Sequence, residues 1–396
     1  MGINITDKIN AIAPSATLAL STKAKEMQAQ GIDVINLSIG EPDFNTPEHI
    51  KQAAIAAITA GKSDFYTPAL GIKELRSAIA TKVTKMLGVP TSADQVAVTA
   101  GGKFSLYAVT QAVISAGDEV LIPLPYWVSY GEQVKLAAGK PVFVRPTAAT
   151  GRVSVADLEA NRTDRTKLLI INSPQNPAGL VYTREELQAI GDWAVEHDIV
   201  IIADDMYSEL IYNGNQFTSI WQLSAAIREQ TILVSGFSKT YAMTGWRVGY
   251  TVAPQWFIKK LGSFIGHTTS NIAAVSQYAA LAAATGPQTC VEEMRLQYEQ
   301  RLNTIYPLLS AIPGVDLRKP AGAFYMFPNV KKTATMCGYS TVSDFCTALL
   351  EQAHVAVVPG VAFGMDEHIR LSYATSMENL MEAVKRLDKF VQQHLQ

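Results

Sequence analysis

Residues 234–250 read Val234-Ser-Gly-Phe-Ser-Lys239-Thr-Tyr-Ala-Met-Thr-Gly-Trp-Arg247-Val-Gly-Tyr250. Apolar runs suited to strands flank this stretch, residues 231–234 before it and 248–252 after it. A single lysine is thus set among small and hydroxyl residues between two segments that read as buried. An ammonium there is costly unless it is paired or its pKa is lowered. A lysine with a lowered pKa is what Schiff-base chemistry needs, because the neutral amine is the nucleophile. Arg247, flanked by Gly245 and Gly249, offers a bidentate grip on a phosphate. A lysine taken at random belongs on a surface loop; the surrounding Gly and Ser pattern argues against that here.

Outward from this stretch, residues 95–252 alternate strands and helices. Short apolar runs at 96–99, 119–122, 142–145, 167–172, 199–203 and 231–234 are rich in Ile, Leu and Val, and a helix is predicted over 104–115. Near-continuous apolar strands separated by helices indicate a parallel sheet covered on both faces. Ligands on such sheets gather at the carboxyl ends of the strands. The residues there are Gly101-Gly102-Lys103, Tyr126-Trp127, Asn176, Asp204 with Tyr207, and Ser235 to Lys239.

On the N-terminal side, residues 13–17 form a Pro/Ser/Thr turn before a helix over 18–30. A strand over 33–38 then leads into the loop that holds Gly40. Thr46 reads as an N-cap with Pro47 in the first turn of a helix reaching residue 60. A loop over 65–71 precedes a helix over 72–86. Beyond residue 290 come helices over 292–309, 342–353 and 377–395. Short strands are predicted at 315–318, 323–327, 355–358 and 368–373. The implied division is an N-terminal segment, 1–45, that packs with a small α+β domain, 291–396, beside a large domain, 46–290.

The 396 residues carry a net charge of −2, with 48% hydrophobic and 17% charged residues. That balance fits a soluble folded chain with more than one core, and provides no basic groove for nucleic acid and no polybasic membrane patch. Three cysteines without metal spacing suit a reducing cytoplasm, and six scattered histidines give no metal site. No signal peptide or membrane span is read. Met1-Gly2 with Thr6 matches a myristoylation pattern that is short and lacks basic support.

The strand-end residues suit one ligand class, a phosphorylated pyridine aldehyde. Lys239 would bind its carbonyl. Asp204 would pair with a pyridinium nitrogen and make the ring an electron sink. Gly101 and Gly102 lead into a helix whose N-terminus suits phosphate, with Arg247 as clamp. Trp127 offers a flat face, and Tyr207 and Asn176 can donate to a phenolate oxygen. Taken singly, Asp204 could equally be a helix cap and the Gly-Gly turn is commonplace. Their order along the strand ends is what argues for a site.

These residues resemble a known family. Ser-Gly-Phe-Ser-Lys239 followed by Arg247-x-Gly-Tyr is similar to the pyridoxal-phosphate attachment signature of class I/II aminotransferases. Asn172-Ser-Pro-Gln-Asn176-Pro-Ala-Gly, Asp204-Asp-Met-Tyr207, Arg370-Leu-Ser and Tyr66-Thr-Pro-Ala-x-Gly resemble further motifs of that family. The bacterial aspartate aminotransferase branch is the nearest in pattern, through residues 13–17, 101–103 and 125–130. The resemblance implies fold type I, with a mostly parallel seven-stranded sheet flanked by helices and a smaller α+β domain. It implies pyridoxal 5'-phosphate as cofactor and a homodimer with shared sites, in which Tyr66 reaches the partner's cofactor phosphate. Arg370 with the Gly40 backbone, Trp127 and Asn176 would hold the amino acid. Lys103, Ser15 and Thr17 would hold a distal carboxylate, as in transamination between aspartate and 2-oxoglutarate. One departure is Gly236, where the family often has a serine; Ser235 and Ser238 flank it as substitutes for the phosphate contact. Prephenate, aromatic or alanine aminotransferases and C–S lyases share the same cofactor residues. A cofactor-sensing regulator would carry an added DNA-binding region.

Overall fold

The structure, a computed structural model, describes residues 3–13 and 16–395, with the side chains of residues 16–21 outside the described set. The strands of the central sheet are β1 (Val96–Thr99), β2 (Glu119–Pro123), β3 (Lys140–Val144), β4 (Thr166–Asn172), β5 (Val200–Asp204), β6 (Thr231–Gly236) and β7 (Gly249–Val252). Their spatial order is β1-β7-β6-β5-β4-β2-β3. β7 alone runs antiparallel to its neighbours, β1 and β6; the other pairings are parallel. The segment around Lys239 is therefore a loop that leaves the sheet at Gly236 and re-enters it at Gly249, beside its own point of departure.

Both faces of this sheet are covered. Leu168 and Ile170 of β4 join one apolar cluster with Leu106 and Leu261 from helices Gly102–Val113 and Gln255–Thr268. Leu169 and Ile171 join another with Leu187 and Ile190 from helix Arg184–Glu196. Successive strand residues point to opposite faces, so a strand covered on both sides must be apolar throughout. That is why these runs show no alternation in sequence.

A second body surrounds a two-stranded parallel pair, Ile35–Asn36 with Val355–Ala356. Beside it lies a three-stranded antiparallel sheet of Val358–Pro359, Ile369–Ser372 and Tyr325–Met326. Helices Thr289–Ser310, Val342–Ala353 and Met377–His394 cover these strands. Ile35 and Leu37 share their core with Phe345, Leu349 and Phe390. The same core takes in Tyr207, Leu210 and Tyr212, just beyond β5.

Some local expectations fail for definable reasons. Thr46 does not cap its helix, because its hydroxyl donates to the Ala242 carbonyl at 2.7 Å; Pro47 occupies the cap position without a side-chain bond. Residues 315–318 form no strand, only an isolated bridge between Asp316 and Asn329. Helices Gln255–Thr268 and Ala274–Thr285 have no counterpart in the sequence reading. Ala274–Thr285 is largely alanine with little polar face, so it carries a weak helical periodicity.

Candidate active site

A cavity of about 560 Å³ opens where the carboxyl ends of β1, β4, β5 and β6 meet the second body. Its lining draws on Gly40, Gly102, Lys103, Trp127, Asn176, Asp204, Tyr207, Ser238, Lys239, Arg247 and Arg370. The structure thus brings together eleven residues singled out in the sequence, from segments spread between positions 40 and 370.

Lys239 donates from Nζ to the Gly40 carbonyl at 2.6 Å, and its ammonium stands 5.7 Å from the Phe324 ring centroid. Its pKa is pushed down to about 8, mainly by burial. The Glu41 carboxylate opposes that shift, while Arg370, Arg247 and Lys103 reinforce it. The neutral amine is therefore accessible near physiological pH.

Asp204 ends β5 and is buried. Tyr130 Oη donates to its Oδ2 at 2.5 Å and Met206 N to its Oδ1 at 3.3 Å. Burial still drives the carboxyl up to about 6 against these two bonds. Such a carboxylate gains most from a cationic partner arriving in the cavity. Asn172 fixes the turn that follows β4: its Nδ2 donates to the Asp204 carbonyl at 2.9 Å and its Oδ1 accepts from Asn176 N at 2.8 Å.

Arg370, on strand Ile369–Ser372, is 4% exposed. Its Nη1 donates to Asn176 Oδ1 at 3.1 Å and its Nη2 to the Ser38 carbonyl at 2.8 Å. Among the described residues its Nε is buried without a partner. The guanidinium lies between the Tyr325 and Phe363 rings, 4.7 and 4.9 Å from their centroids. Two donors are therefore spent on orientation, and the clamped group suits a carboxylate.

The Gly101–Gly102 turn opens a helix beside Arg247. Gly101 has φ +82°, and helix Gly102–Val113 starts directly after it. A Cβ on Gly101 would lie 2.6 Å from Arg247 Nη2, and one on Gly249 only 2.3 Å from Gly102 N. Glycine is needed at both for the turn, the returning strand and the arginine to meet. Arg247 itself holds φ +56° and donates from Nη1 to the Thr244 carbonyl at 2.9 Å. Lys103 Nζ stands 5.0 Å from the Trp127 ring centroid. Partial desolvation, then Arg247, lowers the Lys103 pKa. Among the described residues Lys103 has no carboxylate partner.

One expected contact is corrected. Ser235 does not face the cavity; it points to the other side of β6 and donates to the Asp205 carbonyl at 3.2 Å. Ser238 does line the cavity. At Gly236 a Cβ would press on the Val248 carbonyl and Gly249 at about 3.0 Å, so a serine there would crowd the β6–β7 contact. Tyr66 is 91% exposed and does not reach the cavity of its own chain. Ser15 and the side chain of Thr17 lie outside the described residues.

The lining residues not singled out as site residues include Ser38, Glu41, Tyr130 and Tyr325. Tyr130 follows Trp127 by three residues, which was a usable signal. Tyr325 gave none, because only the strand pairing with Ile369–Ser372 brings it to Arg370.

These residues fit a phosphorylated pyridine aldehyde. The turn of small residues and the arginine suit the phosphate, the buried carboxylate suits a ring cation, and the lysine suits the carbonyl. A profile described as "Aminotransferase class I and II" matches residues 32–387. The chain is 50% identical to an asparagine–oxo-acid transaminase of Streptococcus mutans, over 96% of each protein. It is 47% identical to an aspartate aminotransferase of Bacillus subtilis, over 99% of this chain and 100% of the relative. Among solved structures, an aspartate aminotransferase from Rhizobium meliloti superposes with a TM-score of 0.94 at 38% identity, covering both chains completely.

Proposed function

The chain belongs to the class I and II aminotransferases, which use pyridoxal phosphate, and from that premise we propose that it exchanges amino groups between L-aspartate and 2-oxoglutarate. The products would be oxaloacetate and L-glutamate, formed in two half-reactions of a ping-pong cycle. One observation carries the choice of substrate. The cavity is lined by Lys25, Lys103, Lys239, Arg247 and Arg370 against two carboxylates, Glu41 and Asp204. Such an excess of positive charge suits a phosphate together with a dicarboxylate.

Bound pyridoxal phosphate supplies the electron-withdrawing ring that makes an amino acid's α-proton removable. Lys239 Nζ would hold the cofactor covalently, and its amine would take the α-proton as a base and return it as an acid. Its lowered pKa suits both roles. Asp204 keeps a positive charge on the ring nitrogen. Tyr207 and Asn176 would donate to the ring oxygen, and Trp127 would offer a flat face to the ring. Gly101, Gly102, Ser238 and Arg247 hold the phosphate. Arg370 fixes the α-carboxylate, and Lys103 receives the distal one, with Ser15 and Thr17 assigned there from the sequence resemblance alone.

The proposal includes a homodimer in which Tyr66 completes the partner's phosphate site; its exposure in a single chain supports this. It also keeps the division at residues 45 and 290, and places the enzyme in the cytoplasm. Among the described residues, no helix is long and apolar enough to cross a membrane.

Lys239→Ala should abolish transamination and the absorbance of the lysine-bound cofactor together; retention of both would overturn the reading. Half-reaction spectra with aspartate, glutamate, asparagine, alanine, phenylalanine and prephenate test the substrate. Conversion by alanine but not by aspartate or glutamate would refute the role of Lys103. The Streptococcus mutans relative is named for asparagine, so preference for the amide over the acid would favour that specificity instead.

A further inference from the structure

We propose that Tyr325 is a positioning residue that joins carboxylate recognition at Arg370 to hydrogen-bond donation by Tyr207; this rests on the functional reading above. The geometry is a closed set of contacts. Arg370 Nη1 donates to Asn176 Oδ1, which fixes the orientation of that amide. The opposite face of the amide then presents Nδ2 to Tyr207 Oη at 3.5 Å. Tyr325 Oη lies 3.0 Å from Tyr207 Oη, and its ring lies against the Arg370 guanidinium. Tyr325 Oη would also stand 3.0 Å from a Cβ on Gly40, the residue whose carbonyl accepts from Lys239.

Either hydroxyl could donate in the Tyr–Tyr bond, and the proposal assigns the donor to Tyr325. Tyr207 lines the cavity and already faces an amide donor, so its oxygen is the acceptor on this side. Tyr325 donates to it, and the Tyr207 proton is left free to point into the cavity. An oxygen that accepts a hydrogen bond becomes a better donor through its own O–H. Tyr325 thereby strengthens donation by Tyr207 to the cofactor oxygen. That donation favours the anionic oxygen and lowers the pH at which the bound cofactor loses its proton. The ring of Tyr325 has a separate task, holding the Arg370 guanidinium in place near Phe363.

Two variants separate the hydroxyl from the ring. Tyr325→Phe keeps the ring. In the holoenzyme it should raise the midpoint of the pH titration of the visible cofactor band by about half a unit or more, while changing the dissociation constant for succinate less than about twofold. Tyr325→Leu removes the ring and should weaken succinate binding by about tenfold, read by calorimetry. The proposal is overturned if Tyr325→Phe leaves the midpoint unchanged, or if it weakens succinate as much as Tyr325→Leu does. A Tyr325→Leu protein that fails to fold leaves the Tyr325→Phe midpoint as the deciding measurement. A wild-type protein with no titrating cofactor band would instead refute the functional reading, and the Tyr325 role with it.

Discussion

Asp204 and Asp205 are consecutive, and both are buried, yet they belong to different regions. Asp204 faces the cavity and takes the Tyr130 hydroxyl. Asp205 lies behind the sheet end, where it accepts from Ser219. Burial raises both, Asp204 to about 6 and Asp205 to about 8. Neither a raised pKa nor burial therefore distinguishes a site residue from a structural one. Access to the cavity does, and the alternation of the strand decides which carboxyl has it.

The largest effect should come from Asp204→Asn. Removing one partner of a buried charge pair should lower kcat about 10²- to 10³-fold, measured in single half-reactions. The same substitution should stabilise the cofactor-free protein. A carboxyl whose folded pKa exceeds its unfolded value costs stability as pH rises from about 3.8 to about 6, and the cost is complete above that. At pH 7 the gain should be about 2–3 kcal/mol by denaturant unfolding, vanishing near pH 4. No such gain would mean that Asp204 already has a cationic partner without the cofactor.

Tyr130→Phe should come next. It removes a bond that lowers the Asp204 pKa, so the acid limb of the kcat/KM profile should move to higher pH, with activity at pH 7 falling roughly tenfold. An unshifted limb would separate Tyr130 from the proton balance of Asp204. Asp205→Asn should matter least. Its carboxyl is largely protonated at pH 7 and Asn can still accept from Ser219, so kcat/KM should stay within about threefold. A loss comparable to that of Asp204→Asn would erase the distinction between the two regions.

The sequence carried the sheet because its strands are covered on both faces and are apolar throughout. It carried Lys239, Asp204, Asn176 and Arg370 because each stands in a compact local motif. The antiparallel course of β7 was not legible, since composition has no direction. Tyr325 was not legible as a site residue because its partner Tyr207 lies 118 residues away. Ser235 misled because a strand turns adjacent residues to opposite sides, and only its pairing with Tyr250 fixes which side.

The Gly40 wall of the cavity has a consequence for how the molecule assembles. Gly40 meets Lys239 across 199 residues of sequence, and Ser38 meets Arg370 across 332. The strand that carries this wall, Ile35–Asn36, pairs with Val355–Ala356, close to the other end of the chain. Contacts of such separation close very large loops and slow folding, whereas the β6–β7 turn around Lys239 and Arg247 closes locally. The turn around Lys239 and Arg247 is closed by strands adjacent in the chain, whereas the Gly40 wall waits for the far end of the chain. In refolding followed by hydrogen exchange, the turn that carries Lys239 and Arg247 should therefore gain protection before the wall of Ser38, Gly40 and Arg370.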